Sequence, residues 1–82
     1  MTDIITPTFQ QLRLFEAVAR TGSVTRAAEE VHLAQPSVSM QVKALEEKIG
    51  LPLTEKIGRE LHLTRAGEEV AIASRDVLSR LA

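Results

Sequence analysis

The chain has 82 residues, 44% of them apolar, a formal net charge of −1 and no cysteine. That is enough for one small domain with one modest core, and it excludes disulfides and thiolate metal sites. Only Phe9 and Phe15 are aromatic, so the core must come from Leu, Val, Ile and Ala, which suits packed helices better than an all-β sandwich.

The start, MTDIITPTF, lacks a basic region followed by a long apolar run, so no secretory signal is evident. No apolar stretch approaches the roughly 20 residues that span a bilayer. A cytoplasmic protein with no membrane partner is the expectation. Residues 1–7 read as a loose arm ending in Pro7. Thr8 then opens a helix, with Gln11 at the spacing of a capping box. Phe9, Leu12, Phe15, Val18 and Ala19 follow at steps of three and four, an apolar stripe for the core, and Thr21-Gly22 stops the helix.

Ser23 is the next N-cap, ahead of a short helix from Val24 to Val31. Ala27 and Ala28 at its centre allow close approach of another helix, with Glu29 and Glu30 outside. His32-Leu33-Ala34 forms a turn with Leu33 as a core plug. A third helix starts at Gln35 or Pro36, because proline fits a first turn where its missing N–H has no partner. Val38, Val42, Leu45 and Ile49 form its buried stripe and Gly50 ends it. Gln35, Pro36, Ser39, Met40 and Lys43 share the opposite face.

Leu51-Pro52-Leu53 leads into a strand ending near Ile57, and Glu60 to Leu63 forms a second one. Gly58-Arg59 between them suits a type II′ turn. Leu61 and Leu63 share one face, with His62 on the other. Thr64 caps a final helix that begins at Arg65. Ala66, Val70, Ala73 and Val77 make one stripe on it, while Ile72, Leu78 and Leu81 extend the apolar surface sideways. A terminal helix needs only one buried face, so the surplus points to a partner helix.

Two helices joined by a three-residue turn, then a hairpin, give a winged helix-turn-helix. The fold class is mainly α, with residues 1–64 as the winged domain and 65–82 as a linker or dimerisation helix. In this motif the second helix of the pair lies in the major groove with its first residues at base edges. Glutamine can pair two-pronged with adenine, serine with several bases, and Pro36 can touch a thymine methyl. The net charge weighs against nucleic-acid binding, so any such function must rest on segregation of charge by face.

The run FQQLRLFEAVARTGSVTRAAEEVHLAQPSVSMQVKALEEKIGLPL, then GRELHLTRAGE, resembles the N-terminal DNA-binding domain of LysR-type transcriptional regulators. Leu12, Phe15, Gly22-Ser23, Ala27-Ala28, Gln35-Pro36, Ser39, Leu45-Glu46, Gly50, Leu63-Thr64 and Gly67 all fit the family pattern. SMQVKALEEKIGLPL and EKIGRELHLT look most like its CbbR branch, which controls Calvin-cycle carbon-fixation operons.

The resemblance implies a sequence-specific binder of double-stranded DNA that works as a homodimer or higher homo-oligomer through its last helix. It implies an effector-binding domain outside this chain that takes a small metabolite, with no cofactor in these residues, and a response through RNA polymerase. By motif correspondence Gln35, Pro36, Ser37, Ser39 and Lys43 become base-contacting residues, with Lys43 dividing its time between base and phosphate. Ser23, Thr25, Arg26 and Arg65 become backbone contacts. Lys56 and Arg59 belong to the wing, residues 53–63, with Arg59 at its tip toward the minor groove. Val70, Ala73, Val77, Leu78 and Leu81 become the dimer helix.

Three positions depart from the pattern. Ala34 stands where the family commonly has Ser or Thr, and a lost cap typically costs about 1 kcal/mol unless the Gln35 side chain substitutes. Thr54 and Lys56 stand where Phe and Arg are frequent, so the wing packs more loosely and a two-pronged fork is lost.

Plainer readings stand beside these. Arg26 and Arg65 divide evenly between phosphate contacts and surface ion pairs. His32 and His62 lack a third ligand at metal spacing. The pairs Glu29-Glu30, Glu46-Glu47 and Glu68-Glu69 read as solvated helix faces. A winged-helix module for protein–protein contact is the first rival. A hydrolase or metal enzyme is the second, and the sequence offers neither a nucleophile with its base nor three convergent ligands.

Overall fold

The computed structural model describes residues 7–81. Its elements run α1 (Phe9–Thr21), α2 (Val24–Val31), α3 (Gln35–Ile49), β1 (Thr54–Ile57), β2 (Glu60–Leu63) and α4 (Arg65–Leu81). The arm expected over residues 1–7 lies outside the described residues except for Pro7.

Helix α1 forms where its cap dictates. The Thr8 hydroxyl accepts from the Gln11 N–H at 3.0 Å, and the Thr8 N–H donates to Gln11 Oε1 at 3.1 Å. Gly22, in the left-handed region at φ 70°, ends it by donating its N–H to the Val18 carbonyl at 2.9 Å. The helix packs against α2, α3 and α4 at once. That explains a correction to the predicted stripe. Leu14 and Ala17 are buried along with Phe15 and Val18, whereas Phe9 is half exposed. A helix enclosed on three sides buries a wider arc than a single i, i+3, i+4 line.

Gln11 is also buried, and its amide is satisfied. Nε2 donates to Gln41 Oε1 on α3 at 3.2 Å, and Oε1 accepts from Lys48 Nζ at 3.2 Å. The capping residue of α1 therefore also fixes the position of α3, a link between cap chemistry and packing.

Ser23 caps α2, its Oγ accepting from the Arg26 N–H at 3.1 Å. Ala27 and Ala28 are buried, as close helix approach requires. The helix ends at His32, whose φ of 60° makes it the one non-glycine residue in the left-handed region among the described residues. The Leu33 N–H donates back to the Ala28 carbonyl at 3.0 Å. This reversal turns Leu33 outward, so it is 37% exposed and not the predicted core plug, while Val31 before the turn is buried in the core.

Glu29 and Glu30 are exposed, yet Glu30 is not idle. Arg20, at the end of α1, donates to both Glu30 oxygens and to Glu16. The hydrogen bonds it donates to Glu30, then those to Glu16, hold the Arg20 guanidinium above its ordinary pKa. The same bond to Arg20 holds the Glu30 carboxyl below its own. Both groups are open to water, so this α1–α2 link contributes little stability.

Val38, Val42 and Leu45 of α3 are buried as predicted, and Ile49 is half-buried against the core. Gly50 ends the helix at φ 84°. The strands pair antiparallel, Thr54 opposite Leu63 and Ile57 opposite Glu60. Gly58 has φ 65° while Arg59 does not enter positive φ, which fits the predicted II′ turn. Leu61 and Leu63 turn inward and His62 outward.

Thr64 starts α4, its Oγ1 accepting from the Gly67 N–H at 3.0 Å and donating to the Pro52 carbonyl at 2.7 Å. The buried line of α4 is Gly67, Ala71 and Ser74, not the predicted line of Ala66, Val70, Ala73 and Val77. Small residues let α4 lie close to the core, and Ser74 hides its hydroxyl by donating to the Val70 carbonyl at 2.7 Å. Ala66 and Val70 flank this line half-buried, and Ala73 and Val77 face outward.

Candidate nucleic-acid interface

The start of α3 protrudes. Gln35, Pro36, Ser39, Met40 and Lys43 are exposed, and Ser37 is half-buried. Pro36 occupies the first turn, and the Ala34 carbonyl accepts from the N–H groups of Ser37 and Val38 at 3.0 and 3.2 Å. Ala34 has the extended backbone of an N-cap, φ −71° and ψ 145°, but no side chain caps the helix. The Gln35 amide does not substitute. Its Oε1 accepts instead from the Thr25 hydroxyl of α2 at 3.2 Å.

That hydrogen bond lies in a groove of about 330 Å³ between the helix pair and the hairpin. Ser23, Thr25, Gln35, Ser39, Lys56 and Arg59 line it. These residues come from the cap and first turn of α2, the start of α3, β1 and the turn of the wing, separated by as many as 36 positions in the chain yet sharing one concavity. Its described lining carries two cationic side chains and no carboxylate. A net charge of −1 thus coexists with a locally cationic face.

The other candidates lie outside this groove. Arg26 and Lys43 are exposed, with no ion pair to a described residue. Arg65 is 94% exposed, its Nε 3.9 Å from Glu69 Oε2, a separation too long for a hydrogen bond. Lys43 borders a second hollow of about 170 Å³ beneath the hairpin, shared with Val42, Glu46, Thr54 and Leu61. Thr54 and Leu61 border this space from the hairpin side.

Glu46 departs from the reading of a solvated face. Its Oε2 accepts from the Leu53 N–H at 2.8 Å and the Thr54 N–H at 3.3 Å, joining α3 to the root of the wing. Gly67 has a structural reason as well: a Cβ there would fall 1.9 Å from the Leu53 carbonyl oxygen. Neither role has a periodic sequence signal, since each acts on the backbone of an irregular segment.

A tri-helical core, a tight turn leading to a protruding helix, and a two-stranded wing beside it define the winged helix-turn-helix class. Residues 9–68 match the family of bacterial regulatory helix-turn-helix proteins of the lysR type. The chain belongs to the LysR family.

It is 60% identical over 68 residues to a RuBisCO operon transcriptional regulator of Allochromatium vinosum, covering 83% of this chain and 22% of that protein. It is 53% identical over 74 residues to the HTH-type transcriptional activator CmpR of a Synechocystis strain, covering 90% of this chain and 24% of that one. Among solved structures, the complex of the CbnR DNA-binding domain with DNA superposes with a TM-score of 0.84 at 36% identity, covering 90% of this chain and 85% of that one. The predicted likeness to the CbbR branch agrees with these relatives. The chain spans about a quarter of the length of the curated relatives it matches. No helix among the described residues is long and apolar enough to cross a membrane.

Proposed function

We propose that this chain is the DNA-binding part of a dimeric LysR-type regulator of carbon-fixation genes. Residues 1–64 form the winged domain and residues 65–82 the linker helix that pairs with a second copy. The tip of α3 enters the major groove, where Gln35, Pro36, Ser37 and Ser39 meet base edges and Lys43 alternates between base and phosphate. Ser23, Thr25, Arg26 and Arg65 meet the phosphate backbone, and Lys56 and Arg59 carry the wing toward the minor groove. Two copies set their recognition helices about 34 Å apart on one face of the duplex. Reception of a small metabolite and the response through RNA polymerase belong to parts of the protein outside these residues. The whole acts in the cytoplasm, as a regulator and not as an enzyme.

The observation that carries this reading is the acid-free groove joining Thr25, Gln35 and Ser39 to Lys56 and Arg59. Its polar groups suit base edges and its cations suit phosphate. The names of the relatives supply the class of target genes.

Titration of DNA with Gln35→Ala tests it. Preference for DNA from the regulated promoter over random duplex should fall by about 1–3 kcal/mol, the worth of one two-pronged base contact. Arg65→Ala should weaken both duplexes alike and flatten the salt dependence. Equal losses for Gln35→Ala on both duplexes would overturn base readout. Absence of salt-dependent retention by the parent chain would favour a protein–protein module.

A further inference from the structure

We propose that Glu46 is a positioning residue that holds the DNA-binding wing at a fixed angle to the recognition helix. This rests on the reading that the wing touches DNA. Glu46 lies on α3, one turn beyond Val42 and on the half-buried flank of the helix. One carboxylate oxygen accepts from two consecutive backbone N–H groups, those of Leu53 and Thr54, at the point where the chain enters β1.

The same segment is gripped from its other side. Thr64 donates its N–H to the Leu53 carbonyl at 3.0 Å and its hydroxyl to the Pro52 carbonyl at 2.7 Å. Residues 52–54 are thus clamped between α3 and the start of α4. Beyond the clamp the wing is anchored through β2, where Leu61 and Leu63 are half-buried against the core. Residues 55–60 are all exposed, and a hollow bordered by Thr54 and Leu61 lies between part of the hairpin and α3. The angle of the hairpin, and with it the reach of Lys56 and Arg59, is therefore set by this clamp together with the inner face of β2. Glu46 supplies the half of the clamp that comes from the recognition helix.

Electrostatics alone predicts the opposite effect from positioning. A carboxylate near a polyanion repels it, so removing the charge should tighten DNA binding. Both hydrogen bonds go to one oxygen, and the amide oxygen of glutamine can accept both. Glu46→Gln then removes the charge but keeps the clamp, whereas Glu46→Ala removes both.

The test is a DNA titration at several salt concentrations for the parent, Glu46→Gln, Glu46→Ala, Arg59→Ala and the double variant Glu46→Ala/Arg59→Ala. Glu46→Gln should bind as tightly as the parent or more so. Glu46→Ala should bind about tenfold more weakly, the scale of one lost hydrogen bond to a charged group. Its salt slope should fall by roughly 0.9 for each phosphate contact the wing gives up. Arg59→Ala should cost little more in the Glu46→Ala background, because both act through the wing.

Glu46→Ala binding no more weakly than Glu46→Gln overturns the proposal, as do losses that simply multiply in the double variant. Should Glu46→Ala unfold at the assay temperature, Glu46→Asp replaces it. That carboxylate is one methylene short of the two N–H groups, and the same weakening and the same non-additivity with Arg59→Ala are expected. If the parent itself shows no salt-dependent DNA binding, the DNA-binding reading fails first, a result distinct from parent binding with multiplicative losses.

Discussion

Gly67 on α4 lies directly against Leu53, so that a methyl group on its Cα would sit 1.9 Å from the Leu53 carbonyl oxygen and 2.9 Å from the carbonyl carbon. Neither side can yield easily. Leu53 is fully buried, and its carbonyl already accepts the Thr64 N–H. Gly67→Ala should therefore destabilise the fold by about 1–3 kcal/mol or more, as overpacking against backbone does. Urea unfolding of the parent and the variant measures the difference. A midpoint unchanged by the substitution would mean that residues 51–54 are free to shift.

The sequence makes legible what is periodic or capped, and hides what acts on backbone. The Thr8/Gln11 box, the Ser23 cap, the α3 stripe and the Gly58 turn follow from local rules, and all four occur as expected. The exposure of Leu33 is not legible, because its apolarity says nothing of a left-handed His32 that turns it to solvent. The α4 line of Gly67, Ala71 and Ser74 escaped because two of its three members are not apolar. The role of Glu46 is hidden because an acidic pair on a helix looks the same whether it faces water or backbone N–H groups seven and eight positions further along the chain. The groove shows the same division: each of its residues was nameable singly, but only the fold brings Thr25 onto Gln35 and Arg59 opposite both helices.

The Thr25 hydroxyl donates to Gln35 Oε1 while both side chains stay exposed. The bond narrows the rotamers of the glutamine before DNA arrives, which lowers the entropy lost on binding. Thr25→Val keeps the shape and removes the donor. Stability should change by no more than about 0.5 kcal/mol, as for other surface substitutions. Promoter affinity should fall while Thr25→Ser retains it, and anisotropy titrations with promoter and random duplexes would show both. A loss equal on the two duplexes would assign Thr25 to phosphate contact alone.

Ala34 offers the reverse opportunity. Its backbone already has N-cap geometry, and the N–H groups at the head of α3 have no side-chain acceptor from it. Ala34→Ser should supply one for the Ser37 N–H, which the Ala34 carbonyl already binds, and so should stabilise the fold by less than about 1 kcal/mol. The melting temperature should rise. A fall would mean that the serine hydroxyl turns away from the helix, toward the exposed turn at Leu33.

Helix α4 keeps apolar side chains outside its own core. Ile72 is 65% exposed, Leu81 66% and Val77 38%, with Ala73 exposed beside them. Val70 and Leu78 are half-buried, and Val70 already packs on the core of its own chain, so the outer residues Ala73, Val77 and Leu81 are the better seam. In a two-fold pairing each seam residue counts twice. Burying one leucine contributes about 1.5–3 kcal/mol, so Leu81→Glu should weaken self-association roughly a hundredfold or more. Sedimentation equilibrium should show the parent pairing and the variant monomeric, with unchanged helicity because Leu81 is outside the core. A parent that stays monomeric at high concentration would remove α4 from the dimer seam, and the spacing of about 34 Å between recognition helices would then need another source.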